Sequence, residues 1–195
     1  LAPKLALAAA AELNLQHAAP DNRRIWRERA EKYYGVVWET DQGVVSAAFG
    51  LARQYAARGD LDAATAVLQE VPATSRHFTM AAMTSALLLL FARPVTSYDQ
   101  HTIQAAASIV ESLPDDEPRV QHIATLVLGA GLEWLRTHPD VKADPAPILG
   151  YPFTNRGLRD GVEAGLRTMA RTAPRRTHRY NLVDLANMMR ARTWF

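Results

Sequence analysis

Apolar residues recur every three or four positions along nearly the whole chain, which is the spacing of one face of an α-helix. No stretch alternates with the period of two that a half-buried strand requires. The pattern breaks at "QHAAPDNRR", at Thr40-Asp41-Gln42-Gly43, at Pro72, at Pro94 and at "PDDEP", and most of the breaks are short. Asp21 or Asn22 is a candidate cap for the second helix, and Pro118 is placed to enter the first turn of a later one. The least regular part is "THPDVKADPAPILGYPFTN", after which Thr154 or Asn155 is a candidate cap for the next helix.

The stretch "GLARQYAARGDLDAATAVLQEVP" predicts two short helices hinged at Gly59-Asp60. Ala48, Leu51, Ala52 and Tyr55 form the inward stripe of the first, and Ala64, Leu68 and Val71 that of the second. Small side chains at 52 and 64 let antiparallel helices approach at the short end of the usual 8–10 Å range. Gly59 supplies the left-handed backbone that ends one helix and turns the chain. Ala30, Tyr34 and Val37 stand 34 residues before Ala64, Leu68 and Val71, the period of a tetratricopeptide repeat. The expected architecture is therefore all-α, a tetratricopeptide-like right-handed superhelix of about eight helices in stacked antiparallel pairs. A single repeat domain over 1–195 is expected. Its best parts are the second helix at 28–41 and the full hairpin at 44–72, with degenerate repeats at 76–113, 118–137 and 156–190.

Gly157, Gly161 and Gly165 recur every four residues in a helical segment. Glycine weakens a helix interior by roughly 1 kcal/mol relative to alanine, so three on one face predict very close backbone approach. Of the 195 residues, 48% are apolar, enough for a substantial core. No run is long and apolar enough for a membrane span. Net charge is +2, but unevenly placed: residues 156–195 carry 9 arginines against 3 acids. The opening "LAPKLALAAAAEL" enters helical spacing at once, the look of a piece of a larger protein.

Composition excludes much chemistry. There is no cysteine, hence no disulfide, thiolate nucleophile or thiolate-held metal. The six histidines, His17, His77, His101, His122, His138 and His178, form no HExxH pair, and no calcium-loop or phosphate-loop spacing occurs. Asp115, Asp116 and Glu117 read as a solvated break, and Ser75 with His77 lacks an orienting acid. Neither a cofactor nor a metal is expected. Arg171, Arg175, Arg176, Arg179, Arg190 and Arg192 would suit phosphate contacts, but no nucleic-acid reading module accompanies them, so nucleic acid is not the expected partner.

Several runs carry a more specific resemblance: "YYGVVWETDQGVVSAAFGLAR", "VLQEVPATSRHFTMAAMTSALLLL", "PRVQHIATLVLGAGLEWL", "ILGYPFTNRGLRDGVEAGLRTMARTAP" and "HRYNLVDLANMMRARTWF". Together they resemble the C-terminal tetratricopeptide region of actinobacterial protein kinase G, in order and over nearly the whole chain. They include Trp38, Phe49 and Tyr151-Pro152-Phe153-Thr154, which no generic repeat requires. The resemblance implies a cytoplasmic serine/threonine kinase, also membrane-associated or exported in pathogens. Its catalytic domain and rubredoxin-like module lie elsewhere, and it phosphorylates a forkhead-associated regulator of 2-oxoglutarate and glutamate metabolism. The kinase lysine and catalytic-loop aspartate signatures are absent here, so this chain is not expected to be an enzyme.

The expected role is non-catalytic: protein–protein interaction, dimerisation and support of the kinase domain of the same parent chain. Protein substrates form a further class of partner. Candidate interface residues are Arg76, His77 and Phe78 in one region. In another they are Gly157, Gly161 and Gly165 with Arg175, Arg176, Trp194 and Phe195. The alternative is a free-standing peptide- or RNA-binding helical repeat protein.

Overall fold

The computed structural model describes residues 1–114 and 116–190. Among them are nine α-helices, one more than the eight or so expected: α1 (Ala2–His17), α2 (Pro20–Thr40), α3 (Val45–Ala57), α4 (Leu61–Gln69), α5 (Phe78–Phe91), α6 (Gln100–Glu111), α7 (Val120–Thr137), α8 (Asn155–Thr172) and α9 (Arg176–Met189). A single 3-10 turn lies at Val95–Ser97. The described residues contain no sheet, only an isolated bridge between Ile148 and Tyr151. The described residues are all-α, with runs of sequential helices packed pairwise. It divides into two compact units, Leu1–Leu88 and a second beginning at Leu89.

In the first unit α1 packs on α2, α2 on α3, and α3 on α4. The stripe read from sequence is the stripe buried: Ala48, Leu51, Ala52, Ala64, Leu68, Val71, Ala30, Tyr34 and Val37 all belong to one core, with Tyr55 half-buried beside it. Gly59 adopts φ 85°. Around it the Gly59 amide donates to the Ala56 carbonyl and the Asp60 amide to that of Tyr55, a Schellman closure. Asp60 then caps α4, accepting from the Ala63 amide at 3.2 Å. Arg58 donates to Glu31 of α2 and to Asp60, both at 2.8 Å, and lies over the Tyr55 ring at 4.6 Å. The turn is thus bound to the preceding helix.

Helix boundaries differ from expectation in three places. Neither Asp21 nor Asn22 caps α2; Ala19 occupies the cap position and Pro20 starts the helix. Proline suits that place because its fixed φ is already helical and its missing N–H would have no helical partner. Helix α4 stops at Gln69, before Pro72, and Val71 buries itself from beyond the helix end. Pro118 precedes α7 instead of entering its first turn, because Glu117 bonds the Arg119 amide and guanidinium and fixes a turn there.

In the second unit α6 packs on α7, α7 on α8, and α8 on α9. Trp134 ties two connecting segments to α7: its indole N–H donates to the Tyr98 carbonyl at 3.0 Å. The ring stacks on His138 and meets Phe153 edge-on. Thr154, one of the two caps expected, accepts from the Gly157 amide at 3.1 Å. Gly157, Gly161 and Gly165 are all buried. A Cβ at each would strike Pro152, Tyr151 and Leu128, or Thr125, respectively. The close approach read from their spacing is made with this chain's own α7 and the 151–152 turn, and Gly161 and Gly165 also border a cavity between α7 and α8.

Candidate functional site

Three helices that each open a hairpin or follow one, α1, α3 and α5, line a channel in the first unit. Leu15, Phe49, Ala52, Ala56 and Leu88 give it apolar walls, Glu12, Arg53 and Gln54 give it polar ones, and its volume is about 430 Å³. Ala52, placed in the core by sequence, also borders this space. A larger side chain there would fill the channel as well as separate the helices.

The polar wall is organised by one carboxylate. Glu12 of α1 accepts from the Tyr34 hydroxyl of α2 at 2.7 Å. It also accepts from Arg53 Nε and Nη2 of α3, both at 2.7 Å, and from Gln54 Nε2 at 3.0 Å. Bidentate guanidinium contact and two neutral donors make a strong set for one acceptor pair. The Arg53 hydrogen bond, followed by those of Tyr34 and Gln54, holds Glu12 below its ordinary 4.5 despite burial. Burial, and then Glu12, push the Tyr34 hydroxyl up to about 12. Gly50 makes room for this ring on α3: a Cβ there would lie 2.5 Å from Tyr34 Cε1.

These two shifts fix the sign of a pH dependence. Glu12 is depressed in the fold, so its contribution to stability is complete above the unfolded value and lost as pH falls through the folded one. Tyr34 is raised, so its contribution is complete below 10 and lost as pH climbs towards 12. Urea midpoints of the first unit should therefore fall at both extremes. Glu12→Gln should flatten the acid limb and Tyr34→Phe the alkaline limb, each by about 1 kcal/mol.

Gln54 completes the site. It is 3% exposed, and Glu12 accepts from its amide nitrogen, which fixes the orientation of the amide and turns Oε1 the other way. That oxygen is buried without a hydrogen-bond partner among the described residues. An orphaned buried acceptor costs about 1–3 kcal/mol. None of this was legible beforehand, because Tyr34, Arg53 and Gln54 stand 22, 41 and 42 residues from Glu12.

The interface residues nominated from sequence do not converge on this channel. Arg76 and His77 are exposed in the turn before α5, where Arg76 Nε meets His77 Nε2 at 3.1 Å, and Phe78 begins that helix half-buried. Arg175 and Arg176 are exposed at the start of α9 in the second unit, with Arg176 donating to the Tyr180 hydroxyl at 2.7 Å. Trp194 and Phe195 lie outside the described residues, as do Asp115 and Arg192. Among the described residues no three His, Asp or Glu side chains gather as metal ligands, and no helix is long and apolar enough to cross a membrane.

Comparison with known proteins agrees with this architecture. The family described as "Protein kinase G tetratricopeptide repeat" matches residues 1–193. Serine/threonine-protein kinase PknG of Mycolicibacterium smegmatis is 51% identical over 195 residues, 100% of this chain and 24% of that protein. The protein of the same name from Mycobacterium leprae is 51% identical over 190 residues, covering 97% of this chain and 23% of its own length. The chain thus spans about a quarter of these relatives. With stacked helix hairpins, a 34-residue offset between core positions and a family match along nearly its whole length, the chain belongs to the protein kinase G tetratricopeptide-repeat family.

Proposed function

We propose that the chain is the non-catalytic, protein-binding part of a serine/threonine protein kinase, and that its first unit seats an extended peptide segment in the α1–α3–α5 channel. The observation that carries this reading is the unpartnered Gln54 Oε1 at an apolar channel. An extended backbone has spare N–H groups, and one of them would meet that oxygen once the side chains covering it part, while a side chain fills the space between Phe49 and Leu88. Phosphoryl transfer depends on positioned metal, lysine and carboxylate groups, so the catalytic centre is assigned to the rest of the kinase. The segment bound is one from that kinase or from a forkhead-associated protein substrate.

A second surface supports the same role. On α1, Leu7 flanks the buried stripe of Ala8 and Ala11 and is 49% exposed, and Leu13 lies on the far side and is 59% exposed. Apolar side chains left outside the core stripe suit contact with a neighbour, and the kinase domain or a second copy of the chain is the neighbour proposed.

The test uses the longer kinase. Gln54→Leu should lower kcat/KM for an intact protein substrate by about tenfold, equivalent to ~1.4 kcal/mol, and leave phosphorylation of a short peptide unchanged. Equal losses on both substrates, or none on either, would remove the channel from the function.

A further inference from the structure

The last two helices of the described chain flank a second channel, an open surface groove of about 440 Å³, within the second unit. Ala170 of α8 and Val183 of α9 form its apolar floor, and Arg167, Arg171 and Arg179 form its rim. The three guanidiniums are not equivalent. Arg167 is committed within the chain, donating to Glu163 at 2.7 Å and to Asn187 at 3.1 Å. Among the described residues, Arg171 donates only to the neutral Thr168 hydroxyl, at 2.9 Å. Arg179 has no side-chain hydrogen bond or ion pair among the described residues. Between Glu163 and Asp184 the sequence has five arginines and no carboxylate, so this hairpin carries a net positive charge of its own.

We propose that the α8–α9 channel binds an acidic peptide, placing an apolar side chain on Ala170 and Val183 and carboxylates against Arg171 and Arg179. Charge complementarity selects the acidic partner, because guanidinium and carboxylate pair in a planar, bidentate way. The floor selects a peptide over nucleic acid. Single strands are held largely by stacking on aromatic rings, and the nearby ring, Tyr180, is already engaged by Arg176. A space of this size accepts one leucine-sized side chain with its flanking backbone. The channel belongs to the second unit, and its occupancy requires nothing of the α1–α3–α5 channel.

Fluorescence anisotropy of the full chain with a labelled glutamate–leucine peptide tests this. The same peptide with glutamine for glutamate, a single-stranded oligothymidine, and phosphatidylserine vesicles are the competitors. The acidic peptide should bind best. Arg171→Glu with Arg179→Glu should weaken it about tenfold, whereas Arg24→Glu, on exposed α2, should change it less than twofold. Alanine in place of leucine in the peptide should also weaken binding severalfold. Circular dichroism checks the fold, and Arg171→Gln with Arg179→Gln replaces the charge reversal if helicity falls. Equal binding by the two sets of arginine variants, indifference to the leucine, stronger competition by oligothymidine or vesicles, or no binding would each overturn the proposal.

Discussion

Gly157→Ala is expected to destabilise the second unit by about 2–3 kcal/mol, although alanine is the better helix former. The added Cβ would land on the Pro152 carbonyl oxygen and stand 3.1 Å from the Pro152 ring. Backbone cannot rotate aside as a side chain can. This carbonyl also accepts from the Thr154 amide at 2.7 Å, and Thr154 caps α8 through the Gly157 amide itself. Moving the turn would therefore release the cap, worth about 1 kcal/mol. Gly129 of α7 is the control, because nothing lies within 4 Å of a Cβ built there. Gly129→Ala should stabilise by up to ~1 kcal/mol. Urea denaturation followed by far-ultraviolet circular dichroism reads both, and the same chemical change should move the midpoint in opposite directions.

The second large effect belongs to the first unit. Gly50→Ala puts its Cβ 2.5 Å from both Tyr34 Cε1 and Cζ. The ring is 3% exposed, and its hydroxyl is bound to Glu12. It cannot swing away without giving up that bond, so overpacking of about 1–3 kcal/mol outweighs the helical gain. Gly35→Ala, with nothing within 4 Å, should again be stabilising. Combining Gly50→Ala with Tyr34→Ala should cost less than the sum of the single changes, because the first methyl occupies part of the space left by the second. Additive costs in that cycle would mean that ring and glycine do not share the space.

The parts of this molecule legible in sequence are those written at short range. Gly59 sits within a few residues of the helices it joins, and the three- and four-residue spacing of Ala48, Leu51, Ala52, Ala64 and Leu68 directly names a buried face. The four-residue recurrence of Gly157, Gly161 and Gly165 also signalled close packing, but spacing alone could not name its occupant. Leu128 and Thr125 of α7 reach Gly161 and Gly165 only after the intervening loop has folded back. Glu12 illustrates the other limit. A lone glutamate in an alanine-rich helix is indistinguishable from a solvated one until α2 and α3 bring Tyr34, Arg53 and Gln54 to it. Gly50 was hidden likewise, because its need for hydrogen in place of a methyl is set by a ring sixteen residues earlier.

The pairing of Glu12 with Arg53 also decides how a ligand would find the first channel. Opposite charges in bidentate contact nearly cancel beyond a few ångströms, so the wall projects little field into solvent. Encounter there would be unsteered, and its rate should vary weakly with ionic strength. Affinity would reside in how slowly the occupant leaves.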